Sequence, residues 1–267
     1  GPNQPVMASG VRIPRTSRIE QTMQIALISD IHGNLPALEA VLTELQSEDI
    51  DQLICLGDVA LFGPQPREVL ARLRELSGTM VLGNTDAWAL DPGPYEVRDE
   101  ESYRYFDVES WGAQQLSPAD LEYMGSFQPI VEVRIDEETN LIGYHGSPRA
   151  LGELILATTP DDELETMLSG YQATLMAGGH SHTQMLRRFG ATTLINPGST
   201  GLPFLLDPST GRARNPSWAE YAVVRRQAGG LQIDQRRTAY EPAQLIRAAL
   251  SSGMPHAEWW IRGWAGG

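Results

Sequence analysis

The chain contains no lysine: all 20 of its basic residues are arginine. A lysine nucleophile, a Schiff base and a phosphate-cradling P-loop lysine are therefore excluded. Cysteine is nearly absent. The one copy, Cys55, can form no intrachain disulfide, and its place in the apolar run Leu53-Ile54-Cys55-Leu56 reads as a buried strand residue rather than a nucleophile. No apolar run approaches the ~18 residues of a bilayer-spanning helix, so no membrane span is expected. Positive charge is also in deficit. With 34 acidic residues against those 20, the formal charge is −14, which argues against a footprint for duplex nucleic acid or an anionic membrane surface. A small phosphorylated substrate stays compatible, because bound divalent cations would reverse the sign locally.

What is present suits one large α/β domain: 267 residues with 41% hydrophobic and 20% charged content. Residues 1–22 are polar and irregular, without the apolar core of a signal peptide, and Gly1-Pro2 resembles a protease scar. They are expected to be a disordered, tag-derived or non-core segment, with the domain over 23–252 and a cytoplasmic location. The run 24–29 reads as a buried strand and 35–45 as an amphipathic helix with Asn34 as N-cap and Pro36 in its first turn. A strand at 51–56, a helix at 67–77 and a strand at 79–82 repeat the βα pattern. Each of these strands hands over directly to a glycine-bearing motif, where α/β sheets place their sites. Residues 87–126, broken by Asp91-Pro92-Gly93-Pro94, read as a helical insertion with a capped helix near Ser117. The second half is richer in short strands, closing with a hairpin around 228–230 and a helix near 242–250. Three of the six tryptophans fall in the tail 253–267, at Trp259, Trp260 and Trp264. Packing back on the domain is the first expectation for them, and a homodimer or partner contact the second.

Histidine is scarce, and its allocation is informative. Four of five sit in turn-rich motifs with aspartate or asparagine nearby: Asp30-Ile31-His32-Gly33-Asn34, Tyr144-His145-Gly146 and Gly179-His180-Ser181-His182, alongside Gly57-Asp58 and Gly83-Asn84-Thr85-Asp86. The i, i+2 spacing of Asp30 with His32, and of His180 with His182, would project both side chains of each pair to one side of an extended strand end. With Asp58, Asn84 and His145 the motifs supply seven donors, too many for one closed tetrahedral zinc site and without thiolates. Two ions sharing a bridging carboxylate is the economical solution. Imidazole, carboxylate and amide together suit borderline divalent ions, manganese first, with iron, zinc or nickel as alternatives.

In order and spacing, the DxH, GD, GN, H and GHxH motifs resemble those of the calcineurin-like metallophosphoesterase superfamily. The strings at 28–42, 143–149 and 195–203 are similar to its bacterial YfcE-like phosphodiesterase branch, and the resemblance covers roughly 23–236. It implies a four-layer α/β/β/α sandwich with a helical insertion. It also implies that Asp30, His32 and His182 hold one metal, Asn84, His145 and His180 a second, and that Asp58 bridges them. Two ions about 3.5 to 4 Å apart would activate a bridging hydroxide and stabilise an in-line displacement without a phosphoenzyme. Asp58, Asn84 and His145 are thus the catalytic candidates.

One departure concerns Thr85, where many members carry a histidine implicated in protonating the leaving oxygen. Threonine cannot serve as an acid near neutral pH, which favours good leaving groups and points toward phosphodiesters. A phosphomonoesterase or protein phosphatase on the same site is the alternative, and a non-catalytic scaffold the more remote one. Asn34, Thr85 and Arg149 are the candidate substrate contacts. The loop at Asn196, Gly198 and Ser199 is a further candidate for shaping the site, Asp86 reads as structural, and His256 reads as a surface residue. The insertion at 87–126 is expected to lie over the metals and restrict substrate size.

Overall fold

The computed structural model describes residues 23–264, so the expected non-core segment 1–22 lies outside the described residues. Short apolar runs ending at glycine-rich loops form the first half: β1 (Gln24–Ile28), α1 (Leu35–Leu45), β2 (Gln52–Cys55), α2 (Pro66–Arg74) and β3 (Gly78–Met80). Three helices follow: α3 (Asn84–Leu90), α4 (Glu100–Gln115) and α5 (Pro118–Gly125). The second half contributes β4 (Val131–Arg134), β5 (Asn140–Gly143), α6 (Asp161–Met167), β6 (Leu175–Ala177), β7 (Met185–Phe189) and β8 (Thr192–Asn196). A small ribbon, β9 (Leu205–Leu206) with β10 (Ala213–Arg214), precedes the long hairpin β11 (Trp218–Gln227) and β12 (Gly230–Ala239). The described residues close with α7 (Pro242–Ser251), α8 (Ala257–Trp260) and a single 3₁₀ turn at Ile261–Gly263.

One five-stranded sheet runs β12-β11-β1-β2-β3, and the other runs β4-β5-β6-β8-β7. Within the first, β1, β2 and β3 are parallel and in register, with Ile28 opposite Cys55 and Cys55 opposite Met80. In the second, β5, β6 and β8 are parallel, pairing Gly143 with Ala177 and Ala177 with Ile195. The inner faces meet in a hydrophobic core where Ile25, Leu27, Ile54 and Leu56 pack with Leu141, Leu175, Ala177 and Ile195. Strand alternation sends Ala26, Ile28, Leu53 and Cys55 to the opposite face, against Leu38, Val41 and Leu42 of α1 and Val69, Leu70 and Leu73 of α2. The outer face of the second sheet is covered by Leu164 and Leu168 around α6. The order of layers is α/β/β/α. Among the described residues no helix is long and apolar enough to cross a membrane.

Asn34 caps α1 through Oδ1 to the Ala37 amide at 3.1 Å, with a proline in the first turn, so this helix starts where its cap and apolar spacing require. The insertion consists chiefly of α4 and α5. Ser117 and Asp120 cap α5 reciprocally, and Asp120 also receives Arg67 at 3.1 Å and Arg74 at 2.8 Å. Burial raises the Asp120 carboxyl, but hydrogen bonds from Ser117 and the two arginines outweigh it and hold the group at about 2. Because the folded value lies below the unfolded one, its contribution is complete above about pH 4 and is lost as pH falls toward 2. Asp120→Ala is expected to cost about 2 kcal/mol at pH 7, and urea denaturation should show the gap from wild type narrowing across that acid window.

The tail folds back on its own domain. Trp260 donates its indole N–H to the Phe62 carbonyl at 2.9 Å and Trp264 donates to the Tyr240 hydroxyl at 2.8 Å, while the two rings stack with centroids 4.4 Å apart. His256 is not a free surface residue: Nε2 lies 2.8 Å from Asp107 Oδ2 of α4, tying tail to insertion. The sequence offered no cue for that pairing across 149 residues.

Candidate metal centre

All seven expected ligand residues follow the carboxyl ends of parallel strands, Asp30 and His32 in the loop after β1, Asp58 after β2, Asn84 as the first residue of α3 just beyond β3, His145 after β5, and His180 with His182 after β6. Because the two sheets pack face to face, these loops converge at one end of the sandwich. Asp30, His32 and His182 form one set of closely approaching ligand atoms, and Asp58, His145 and His180 form another. His182 Nε2 is 3.2 Å from Asp30 Oδ1, and His32 Nε2 is 3.1 Å from His182 Nε2. In the second set His145 Nε2 is 3.3 Å from Asp58 Oδ2 and 3.0 Å from Asn84 Oδ1. Asp58 Oδ2 is also 3.9 Å from His32 Nε2, which places its carboxylate between the two sets.

The extended-strand explanation of the i, i+2 pairs is incorrect. β1 ends at Ile28, before the motif, and Asp30 and His32 have φ of 52° and 48°. His180 and His182 have φ of 66° and 56°, and Asp58 has 56°. Left-handed backbone at alternate residues curls each loop tightly and aims both side chains inward. Such conformations cost about 1–2 kcal/mol each for residues with a Cβ and persist only where surroundings hold them. Here the loops are tied to one another: the Asp30 amide donates to Gly57 O at 2.9 Å, His32 to Asp58 O at 3.1 Å, and Gly201 to Asp30 O at 3.0 Å. Close approach also dictates glycine at 83, where a Cβ would lie 2.1 Å from Asp58 Oδ1.

The ring orientations are fixed from behind. His32 Nδ1 faces the Leu61 carbonyl at 2.9 Å, His145 Nδ1 faces Leu56 O at 2.7 Å, and His182 Nδ1 faces Leu202 O at 2.8 Å. A carbonyl requires a donor, so each Nδ1 carries a proton, and in the neutral ring that binds a metal each Nε2 directs a lone pair at the centre. Asp58 Oδ1 accepts the Thr85 amide at 2.9 Å, leaving Oδ2 to face the imidazoles. Asp30 Oδ2 is satisfied by Ser29 Oγ at 2.6 Å and the His180 amide at 3.0 Å, whereas its Oδ1 is buried without a hydrogen-bond partner among the described residues. Facing lone pairs around an orphaned buried carboxylate oxygen repel one another, and a cation among them removes the conflict. The donor set therefore fits divalent metal ions.

The charges agree. Burial raises Asp30, but the neighbouring His182 overrides it and holds the carboxyl at about 2; Asp58 is likewise depressed, chiefly by His145 working against burial. Burial pulls His145 down, yet the Asp58 and Asp30 carboxylates raise it to about 10, because without a metal imidazolium is their counter-ion. His32 and His180 are lowered, first by burial and then by the adjacent imidazoles His182 and His145 respectively.

Asp86 is structural, and its role is specific. Its carboxylate accepts the amides of Asp58 at 2.8 Å, Val59 at 3.0 Å and Gly83 at 2.9 Å, clamping the second motif to the third. Asn34 donates both amide hydrogens, to Gly201 O at 2.8 Å and the Tyr240 hydroxyl at 3.2 Å, while Oδ1 caps α1. No donor remains for phosphate, which corrects its candidacy as a substrate contact. Arg149 is exposed and held by Glu153 at 2.9 and 3.0 Å, outside the ligand sets. Thr85 is buried beside Asp58, and its Oγ1 has no hydrogen-bond partner among the described residues. Ser199 Oγ supports the Asp30 carbonyl at 2.7 Å, and Asn196 supports Gly179 O at 2.8 Å, so that loop shapes the site from behind.

Three elements escaped the sequence. The carbonyls of Leu56, Leu61 and Leu202 act through backbone and leave no side-chain signature. Glu109 of α4 is raised to about 7, first by burial and then by the charge of Asp58, which puts an insertion carboxyl within the field of the centre. Phe62 sets its ring edge-on to His32 at 6.4 Å and against Tyr105 of α4 at 5.0 Å, linking insertion and centre.

Two converging imidazole–carboxylate sets at the shared end of two sheets make a candidate divalent-metal centre in an α/β/β/α sandwich. Residues 23–215 match the model of the calcineurin-like phosphoesterase superfamily domain, and the chain belongs to that superfamily. It is 27% identical over 248 residues to an uncharacterized protein of Methanocaldococcus jannaschii, covering 88% of this chain and 94% of that one. A crystal structure of a metallophosphoesterase from Sphaerobacter thermophilus superposes with TM-score 0.68 at 26% identity, covering 91% of this chain and 99% of that one. The chain is also similar to the phosphodiesterase YfcE of Escherichia coli, 36% identical over 75 residues that cover 24% of this chain and 41% of YfcE.

Proposed function

We propose that the protein is a dinuclear metal-dependent phosphodiesterase acting on a small phosphorylated substrate. The observation that carries this is the position of Asp58, whose Oδ2 approaches His145 Nε2 at 3.3 Å on one side and His32 Nε2 at 3.9 Å on the other. Asp30, His32 and His182 would hold one ion, Asn84, His145 and His180 the other, and Asp58 both. Two divalent cations held there would acidify a water, grip two phosphate oxygens and neutralise the charge of an in-line displacement.

The chain's own residues supply orientation. The three backbone carbonyls behind the rings keep the Nε2 lone pairs aimed inward, and the Thr85 amide fixes the Asp58 carboxylate. The Thr85 hydroxyl is buried and supplies no proton for a poor leaving group near neutral pH. That favours a diester with a stable leaving alkoxide or phenoxide. Manganese is the ion chosen for the test, since a mixed nitrogen and oxygen donor set accommodates it.

Protein stripped by chelator is expected to be inactive on bis(4-nitrophenyl) phosphate and to regain at least about 100-fold in rate with Mn²⁺. The matched monoester, 4-nitrophenyl phosphate, should show a lower kcat/KM by about tenfold or more. Full activity in the stripped protein would overturn the metal assignment, and a monoester preference would transfer the site to a phosphomonoesterase.

A further inference from the structure

Beside the ligand cluster is a cavity of about 790 Å³, with the metal-centre residue His182 in its wall. A volume of that order suits a small-molecule site. Its other walls come from separate parts of the chain: Tyr105 and Glu101 of α4, Arg212 near the β9–β10 ribbon, and Trp259, Trp260 and Arg262 of the tail. The tail lies beyond the stretch matched by the superfamily model, which ends at residue 215.

Its lining is aromatic rather than aliphatic. Phe62 and Phe204 join the tyrosine and the tryptophans, while leucine is represented by Leu202 alone. Some of these rings are occupied with folding: Trp260 and Trp264 are 5% and 6% exposed and use their indole N–H groups internally. Trp259 and Phe204 are different. Trp259 is half-buried, with an edge-on contact to Tyr105 at 5.4 Å and the Arg104 guanidinium 5.7 Å from its ring, and its indole N–H has no acceptor among the described residues. Phe204 is 37% exposed, and its ring lies 6.1 Å from that of His182. Arg212 and Arg262 are exposed and make no ion pair among the described residues, in a protein of net charge −14. An acyl chain would be better served by aliphatic walls. Flat rings with unpaired guanidiniums suit a planar, polar aromatic group attached to an anion.

We infer that this cavity binds the non-leaving ester group of the substrate, and that the group is a nucleoside whose base stacks on Trp259 and Phe204 while Arg212 and Arg262 face its anionic side. The inference rests on the phosphodiesterase reading for the position of the phosphorus, which would sit at the His182 edge of the cavity. It predicts selectivity that the metal centre alone does not generate.

The test compares two diesters with the same 4-nitrophenolate leaving group, thymidine 5′-(4-nitrophenyl phosphate) and methyl 4-nitrophenyl phosphate, in Mn²⁺-loaded protein. The nucleoside ester is expected to have the higher kcat/KM by about 30-fold, the scale of one or two base–aromatic contacts. In Trp259→Ala and Phe204→Ala, measured separately, that ratio should fall to about 3-fold or less; a ratio within one variant cancels any general loss of activity. Calorimetry provides a readout independent of turnover: thymidine 5′-monophosphate should bind at least about tenfold more tightly than inorganic phosphate, and the advantage should shrink in Phe204→Ala, where an exposed ring is removed without opening the core. Equal turnover of both diesters with equal binding of the two anions would overturn the pocket while leaving the phosphodiesterase intact. If neither diester is hydrolysed, the phosphodiesterase reading fails and calorimetry decides the pocket: preferential binding of the nucleotide sustains it, and its absence overturns it.

Discussion

Asp58→Asn is expected to lower kcat on a phosphodiester by at least about 10³-fold with the fold intact, because it removes the carboxylate whose Oδ2 faces both ligand sets. The substitution is nearly isosteric, and an asparagine Oδ1 can still accept the Thr85 amide at the position now held by Asp58 Oδ1, 2.9 Å away. What disappears is the carboxylate facing His145 and His32. In the metal-free protein that charge is also the main influence that lifts His145 to about 10 against the effect of burial. NMR titration of the metal-free variant should therefore show His145 losing its proton at lower pH than in wild type. Unaltered turnover would mean that Asp58 has no part in the chemistry. A lost fold, detected by circular dichroism, would instead point to a structural role, so the two readouts separate the cases.

The second large effect concerns stability. Asp86→Ala should destabilise the protein by about 4 kcal/mol, since it leaves the buried amides of Asp58, Val59 and Gly83 without their acceptor and each orphaned donor costs about 1–3 kcal/mol. For a domain of this size the melting temperature should drop by roughly 10 °C. Asp86→Asn is expected to be milder, because its carbonyl oxygen keeps part of the network while its NH₂ meets an amide donor. In wild type, burial and the adjacent Asp58 raise the Asp86 carboxyl to about 7. A folded value above the unfolded one means the ionised carboxylate is disfavoured in the native state, so this group's contribution is complete below about pH 4 and declines as pH rises toward 7. If alanine at 86 melts with wild type, the clamp between the second and third motifs has no energetic weight.

Asp58 and Asp86 also show what the sequence makes legible. Scarce histidines beside glycines, repeated at the ends of apolar runs, were enough to bring Asp30, His32, Asp58, Asn84, His145, His180 and His182 to one place, because parallel strands align their carboxyl ends. Helix α1 was readable to its ends because Asn34, a first-turn proline and a clean apolar stripe all agree. The local geometry of the motifs was not. Alternation in an extended strand and alternate left-handed residues both place i and i+2 on one side, and only the second occurs here. Helix α4 lies within the segment that reads as a helical insertion, but its bounds were not legible because it buries so narrow a stripe: only Val108 and Gly112 are buried among its 16 residues. The same helix supplies Tyr105 and Glu101 to the cavity, so the feature least visible in sequence is the one that borders the site. Asn34 illustrates the converse error. A polar residue next to a metal motif looked available for phosphate, but all its hydrogen-bonding groups serve the fold.

The most direct test of a dinuclear centre is metal stoichiometry. Chelator-stripped protein, equilibrated with Mn²⁺ and freed of excess, should carry two ions per chain by elemental analysis. His180→Ala, which removes a donor from the set containing Asp58 and His145, should retain the first ion and lose the second. A single ion or none in the wild-type chain, with every ligand residue intact, would contradict the dinuclear assignment.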